Sequence, residues 1–326
     1  MKRREFIITM SGALAGWPFV CRAQTAPPPV VGFLRSSPAA PFANLVASFR
    51  QGLKDEGFID GETVRVDYRW ADNHLDRLPN LAADLVRQRA AVIVGNRAAV
   101  DAARAVTTEI PIVFVIAGDP VKSGLVTSLS RPDGNLTGVT FFGGGQLAAK
   151  RLEMLHELVP GPTGIAVLLD VTYPGFGAEM PGLEAAARAL GRRITVVKAA
   201  SDKDFQAAFA TIVGAGAGAL LVGGGPMFTS RRRQLIDLAS RHGLPAIYDQ
   251  QAYVASGGLI SYGTSFAGAY RQAGVYAGRI LKGSSPSDLP VLQPDTFELA
   301  VNRGTAKALG IRIPRSILAR ADQIVE

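Results

Sequence analysis

Ala91-Val92-Ile93-Val94-Gly95, the helical pattern Ala98 to Val106, and Pro111-Ile112-Val113-Phe114-Val115-Ile116 form the stretch on which the fold turns. Two short apolar runs rich in β-branched residues flank one amphipathic segment, which is the βαβ unit of a parallel sheet covered by helices. Upstream, Val30 to Leu34 and Thr63 to Trp70 read as further strands. Phe42 to Glu56 and Leu75 to Arg87 read as the helices between them, each ended by Gly, Pro or polar turn residues.

A second series repeats the alternation. Its strands are Ile165 to Asp170, Ile194 to Ala199, Ala219 to Val222 and Ala246 to Tyr248, with helices near Ala148 to Leu158, Gly182 to Leu190, Asp204 to Ile212 and Ser230 to Arg241. The expected fold class is therefore α/β, with two doubly wound parallel-sheet lobes joined by a multi-strand hinge. Between the series, Gly134-Asn135-Leu136-Thr137-Gly138-Val139-Thr140-Phe141 reads as a first crossover. Gly257-Gly258-Leu259-Ile260-Ser261-Tyr262-Gly263 reads as a second, followed by a helix at Ala267 to Leu281, a proline-marked stretch Pro286 to Pro294, a strand at Thr296 to Val301 and a last helix at Thr305 to Leu309. The expected division is residues 27–138 plus 264–290 for one lobe and 139–263 plus 291–326 for the other.

Residues 1–26 have a different character. Lys2-Arg3-Arg4-Glu5-Phe6-Ile7 is followed by a short, weakly apolar run to Val20 and by Cys21-Arg22-Ala23, too short for a transmembrane span of about 20 apolar residues. This is the pattern of an export signal, cleaved after Ala23 or Ala26, and it places the mature protein in the periplasm. The paired arginines and the Gly, Ser and Thr content resemble a twin-arginine signal, although Lys2 stands where that motif usually has Ser or Thr. Cys21 is the only cysteine of the 326 residues, so no disulfide framework is expected and stability must come from packing.

The formal charge of +8 is partly carried by Lys2, Arg3, Arg4 and Arg22. The one dense basic run, Arg231-Arg232-Arg233, reads as a solvated helix start, and no nucleic-acid partner is expected. His74, His156 and His242 lie far apart on helical patterns, so no metal site is expected. The first strand runs into Leu34-Arg35-Ser36-Ser37-Pro38 where a dinucleotide-binding unit would place its glycine fingerprint. A nucleophile elbow and a Walker-type loop are also missing. No enzyme and no cofactor are expected.

Gly118-Asp119-Pro120-Val121-Lys122-Ser123-Gly124-Leu125-Val126 and Ser130-Arg131-Pro132-Asp133-Gly134-Asn135-Leu136-Thr137-Gly138, with Asp249 to Gly263 and Ala267 to Leu281, resemble the ABC-transporter substrate-binding proteins related to tryptophan/tyrosine-type binders. That resemblance spans nearly the whole chain after residue 26. It implies a type I periplasmic binding protein-like fold with three hinge crossings, a small-molecule ligand in the cleft that is amino-acid-like or aromatic, and an ABC permease in the inner membrane as partner. A monomer is expected. The alternative within the same fold is a periplasmic sensor that presents its closed form to a membrane receptor; a DNA-binding repressor is excluded by the export signal in place of a headpiece.

Ligands of open parallel sheets bind at the carboxyl ends of the strands, where loops and helix N-termini present unpaired N–H groups. The rule nominates Ser36 and Ser37 for a carboxylate, Gly95 and Asn96, and Gly118 with Asp119, whose carboxylate is the candidate partner of a ligand amino group. The structural alternatives are helix capping by the serines and turn formation by Asp before Pro. In the second series it nominates Asp170, Tyr173, Gly224 within Gly223 to Gly225, and Asp249. Tyr173, Phe141 or Phe142 would stack on an apolar ligand, and Ser261 and Tyr262 would face the cleft from the second crossover.

Overall fold

The computed structural model describes residues 27–141, 144–161, 164–173, 176–293 and 297–326. The export signal and Phe142 lie outside the described residues. Two mostly parallel sheets organise the chain. The first has the strand order β2-β1-β3-β4-β5, from β1 (Val30–Arg35), β2 (Arg65–Trp70), β3 (Val92–Gly95), β4 (Ile112–Ile116) and β5 (Leu136–Thr140). All of its pairings are parallel. Helices α1 (Ala43–Asp55), α2 (Leu78–Arg87) and α3 (Arg97–Arg104) alternate with these strands.

The second sheet follows through α4 (Gly144–Leu158), β6 (Gly164–Asp170), α5 (Phe176–Ala189), β7 (Ile194–Ala199), α6 (Phe205–Gly214), β8 (Ala217–Val222), α7 (Pro226–Ser230), α8 (Arg232–Arg241), β9 (Ala246–Tyr248), α9 (Gln251–Val254) and β10 (Ile260–Thr264). The chain then leaves this sheet for α10 (Phe266–Leu281) and returns as β11 (Phe297–Asn302), α11 (Arg303–Ala308), α12 (Arg315–Arg320) and β12 (Gln323–Val325). The full order is β12-β11-β10-β9-β8-β6-β7. Among the described residues only β10 and β11 pair antiparallel. Among the described residues no helix is long and apolar enough to cross a membrane.

Each sheet buries both faces, which is why its strands read as continuous apolar runs. In the first lobe, α1 and α10 cover a core around Phe33, Phe49, Val94 and Tyr270, and α2 and α3 cover one around Leu85, Ile93 and Phe114. In the second, α4 and α5 enclose Leu152, Val167 and Leu221, while α6 and α8 enclose Phe209, Leu220 and Leu235.

Helix α10 is therefore built into the first lobe although the strand before it belongs to the second sheet. Its docking on α1 depends on glycines at the closest approach. A Cβ on Gly52 would sit 1.9 Å from the Arg271 carbonyl oxygen, and one on Gly274 would sit 2.1 Å from that of Phe49. The rim of the same contact carries Arg271–Asp55 and Lys282–Glu56 ion pairs, each at 2.7 Å.

Chain passes between the lobes cluster together. The end of β5 is tied to the third pass by Thr140 N donating to the Leu292 carbonyl at 2.9 Å and Leu292 N donating to that of Gly138 at 2.9 Å. Both segments expected as crossovers lie inside strands, β5 and β10, and the chain changes lobe just beyond each. On the far side of the cleft, the Asn73 amide donates to the Ser230 hydroxyl at 3.2 Å, and Arg232 donates to the Pro41 carbonyl at 3.1 Å. The basic run at 231–233 is thus partly committed to structure, with Arg231 also paired to Asp202 at 2.9 Å.

Gly274→Ala is expected to force the two helix backbones apart. Overpacking of this kind costs about 1–3 kcal/mol. Urea unfolding should show a lower midpoint with an unchanged slope.

Candidate functional site

The carboxyl ends of β1, β3 and β4 face those of β6, β8 and β9 across a cleft of about 1000 Å³. From the first lobe it is lined by Arg35, Ser36, Asn96, Gly118 and Asp119, and from the second by Tyr173, Glu179, Gly224 and Asp249. Phe42, Phe141, Phe266 and Tyr270 supply aromatic wall. Phe141 stacks on Phe266 with ring centroids 4.3 Å apart, which fixes both rings beside the pass from β5.

Arg35, the last residue of β1, is 4 % exposed. Its Nε donates to the Ser37 hydroxyl at 3.2 Å and its Nη1 to the Tyr270 hydroxyl, while the guanidinium lies 4.1 Å from the centroid of Phe42. Burial pushes the guanidinium down to about 9, still protonated at neutral pH. Next to it, Ser36 and Asn96 serve each other: the Ser36 N–H donates to the Asn96 carbonyl oxygen at 3.2 Å, and the Asn96 amide donates to the Ser36 hydroxyl at 2.8 Å.

The second lobe presents acids. Arg151 of α4 and Glu179 of α5 are both buried, with Nη2 and Oε2 at 3.7 Å. Asp249 follows β9. Burial pushes its carboxyl up to about 6, opposed by Arg151 and reinforced by Glu179. Glu179 is raised for the same leading reason, burial, with Arg151 and the Gly224 amide acting against it. Burial and then the neighbouring Glu179 and Asp249 raise the Tyr173 hydroxyl as well.

Missing side chains make this arrangement possible. A Cβ on Gly224 would meet Asp249 Oδ2 at 3.1 Å and Glu179 Oε1 at 3.4 Å. Gly263 lies where a Cβ would be 1.8 Å from the Asp249 carbonyl oxygen, so β10 approaches the acid's backbone only because that position is glycine.

Eight of the thirteen expected positions are on the cleft wall, namely Ser36, Asn96, Gly118, Asp119, Phe141, Tyr173, Gly224 and Asp249. Five are off it. Ser37 is turned inward as the acceptor for Arg35, and Gly95 packs against Ala99 and the Leu34 carbonyl. Asp170 lies behind Gly225, where a Cβ would stand 2.4 Å from its Oδ2, and its Oδ1 accepts from the Thr172 N–H at 2.9 Å and hydroxyl at 2.6 Å. Ser261 is fully buried in β10, and Tyr262 points to the opposite face, against Phe297. Strand alternation sends Ser261 and Gly263 to one face and Tyr262 to the other, and the cleft is reached only at the end of the strand, by Gly263 and Thr264.

Asp119, expected to receive a ligand amino group, is on the cleft wall with one of its oxygens already engaged. Its Oδ1 accepts from the Val121 and Lys122 N–H groups at 2.9 and 3.1 Å, so the carboxylate organises its own turn at the half-exposed rim. Arg35, Phe42, Arg151, Glu179, Phe266 and Tyr270 were not among the expected site residues. Arg35 was open to the strand-end rule, as the residue just before the nominated serines.

Residues 40–325 match the family model described as ABC transporter substrate binding protein. A curated relative, the tyrosine-binding protein of Clostridioides difficile (strain R20291), is 26% identical over 81% of this chain and 76% of its own. A conserved domain protein from Vibrio cholerae O1 biovar El Tor superposes with a TM-score of 0.83 at 25% identity, over 91% of this chain and 100% of the other. An ABC domain from Streptococcus pneumonia in complex with L-Trp gives 0.83 at 23% identity, over 92% and 100%. The ligand-free, open structure of a Clostridium difficile substrate-binding protein with adhesive properties gives 0.66 at 23%, over 91% and 99%.

The raised carboxyl of Asp249 has a consequence for stability. Above about pH 6 the folded protein holds this acid ionised at a cost. As pH falls toward 4 the folded state takes up a proton that the unfolded state does not, and the cost disappears. Its size is on the order of 3 kcal/mol at neutral pH. Asp249→Asn is expected to raise the thermal midpoint of ligand-free protein at pH 7.5 and to bring a much smaller gain at pH 4.5, measured by calorimetry against wild type at each pH.

Proposed function

The chain belongs to the ABC transporter substrate-binding proteins, and from that premise we propose that it is the exported solute-binding component of an ABC importer. It binds an amino-acid-like or aromatic ligand between its two lobes and presents the closed form to a permease in the inner membrane. The family is one of binding proteins, so capture and release, not turnover, are the activity. Residues 1–26 act as the export signal, and the mature protein works in the periplasm as a monomer. The expected division, 27–138 plus 264–290 against 139–263 plus 291–326, is kept with its first bound moved to the end of β5 at Thr140.

The observation that carries the reading is a cleft whose two walls belong to different sheets and bear charges of both signs beside aromatic rings. A ligand seated there removes water from both walls at once, so its affinity depends on the lobes being together. Supporting the ligand class, the curated relative is named for tyrosine and one structural neighbour holds L-Trp. Supporting the lobe division, α10 packs on α1 while β11 and β12 extend the second sheet.

The test is thermal unfolding of the mature protein, stripped of carried-over ligand, against aromatic and aliphatic amino acids, aromatic acids, nucleosides and sugars. A ligand at 100 times its dissociation constant contributes about 2.7 kcal/mol, worth roughly 5 °C or more in a chain of this size. A shift with tyrosine, tryptophan or a close relative is expected. A shift confined to sugars or nucleosides would contradict the ligand class.

A further inference from the structure

Building on the reading of the ligand as an aromatic amino acid, we propose that its two charges are divided between the lobes: the carboxylate goes to Arg35 of the first lobe, and the ammonium to Asp249, beside Glu179, of the second.

On the first lobe, Arg35 is a buried cation whose described partners are neutral. It donates to the hydroxyls of Ser37 and Tyr270 and lies over the Phe42 ring. Among the described residues no carboxylate forms an ion pair with it, and no acid contributes to its electrostatics. A guanidinium carries five N–H donors in a fork that suits a carboxylate. Ser36 and Asn96 are engaged with each other, so the guanidinium is the group on this wall that still calls for an anion.

On the second lobe the imbalance has the opposite sign. Arg151 and Glu179 oppose each other at 3.7 Å and cancel. Asp249 is left over: its one side-chain donor, the Gln250 amide, is at 3.5 Å and is committed to the Thr229 hydroxyl at 2.7 Å. Among the described residues no hydrogen-bond partner meets the buried Glu179 Oε2. Two carboxylates converging on the bare backbone of Gly224 make a place for a group with several donors and a positive charge. Of the acids on the first lobe's wall, Asp72 is paired with Arg77 at 2.8 Å and Asp119 spends its Oδ1 on its own turn at the half-exposed rim.

The four buried charges of the wall thus sum to zero while each lobe is unbalanced. A zwitterion satisfies both sides. An amine without a carboxylate leaves Arg35 unpaired in a closed cleft, and an acid without an amine leaves Asp249 so. Closure then discriminates by ligand charge, because only a ligand bearing both groups draws both walls together.

The experiment titrates L-tyrosine, tyramine and 3-(4-hydroxyphenyl)propanoate calorimetrically into wild type, Asp249→Asn and Arg35→Gln, each checked for folding by its unfolding transition. Losing one charge-assisted interaction should weaken binding about 10- to 100-fold. Wild type should bind tyrosine and disfavour both analogues by at least that factor. Asp249→Asn should weaken tyrosine while leaving the propanoate within about 3-fold, and Arg35→Gln should weaken tyrosine while leaving tyramine within about 3-fold. If Arg35→Gln does not fold, Arg35→Lys keeps the charge without the fork and should retain the preference for tyrosine over tyramine. Tyrosine binding with the opposite pattern, Arg35 variants acting on tyramine or Asp249→Asn acting on the propanoate, overturns the division of charges and leaves the ligand class standing. No binding of any of the three by folded wild type overturns the proposal, and the absence of a thermal shift with tryptophan or any other amino acid overturns the ligand class with it.

Discussion

A buried guanidinium that no carboxylate of the described chain neutralises is the constraint around which this molecule is arranged. Arg35 ends the central region of the first sheet, where parallel topology delivers the last residue of each strand to the same edge. Removing such a charge from water is costly unless a partner arrives. The chain supplies everything short of that partner. Phe42 offers a ring face, Ser37 a hydroxyl, and α10 crosses from the second lobe to bring Tyr270. The excursion of α10 is thus more than a topological detail: the first lobe's binding wall is incomplete without residues that follow β10 of the second sheet in sequence.

The second wall is built by omission of side chains. Glycine at 263 lets a strand backbone approach Asp249 where a Cβ could not fit, and glycine at 224 leaves two carboxylates an approach that a Cβ would crowd. The cost shows in the acids themselves, which burial pushes toward protonation, with Arg151 supplying partial relief and Glu179 adding to the rise at Asp249. A site that holds uncompensated charge when empty is one that gains when the right counter-charges enter, and functional sites are where such imbalance concentrates.

Most of the architecture was legible in the residues because doubly wound folds announce themselves by alternating apolar runs and amphipathic helices. The strands of both series fall within a residue or two of their expected bounds. What escaped were the short elements, α7, α9, α12 and β12, with three to six residues each and no period to detect. The site was legible at the level of loops and much less at the level of side chains. A helix was expected near Gly182 to Leu190, yet α5 begins at Phe176, ahead of its internal Pro181, and carries Glu179 in that first turn. Tyr262 illustrates the other limit: a one-residue difference in strand phase separates the cleft from the core. Asp119 shows that a carboxylate in the right loop is not free to bind until the amides around it are counted.

The most direct measurement is a crystal structure of the mature protein grown with the amino acid that gives the largest thermal shift. The account predicts the ligand's carboxylate within about 3 Å of the Arg35 guanidinium, its ammonium within the same distance of Asp249, and its ring against the Phe141–Phe266 wall. A ligand lying the other way round, or one that leaves Arg35 in contact with protein groups alone, would contradict it.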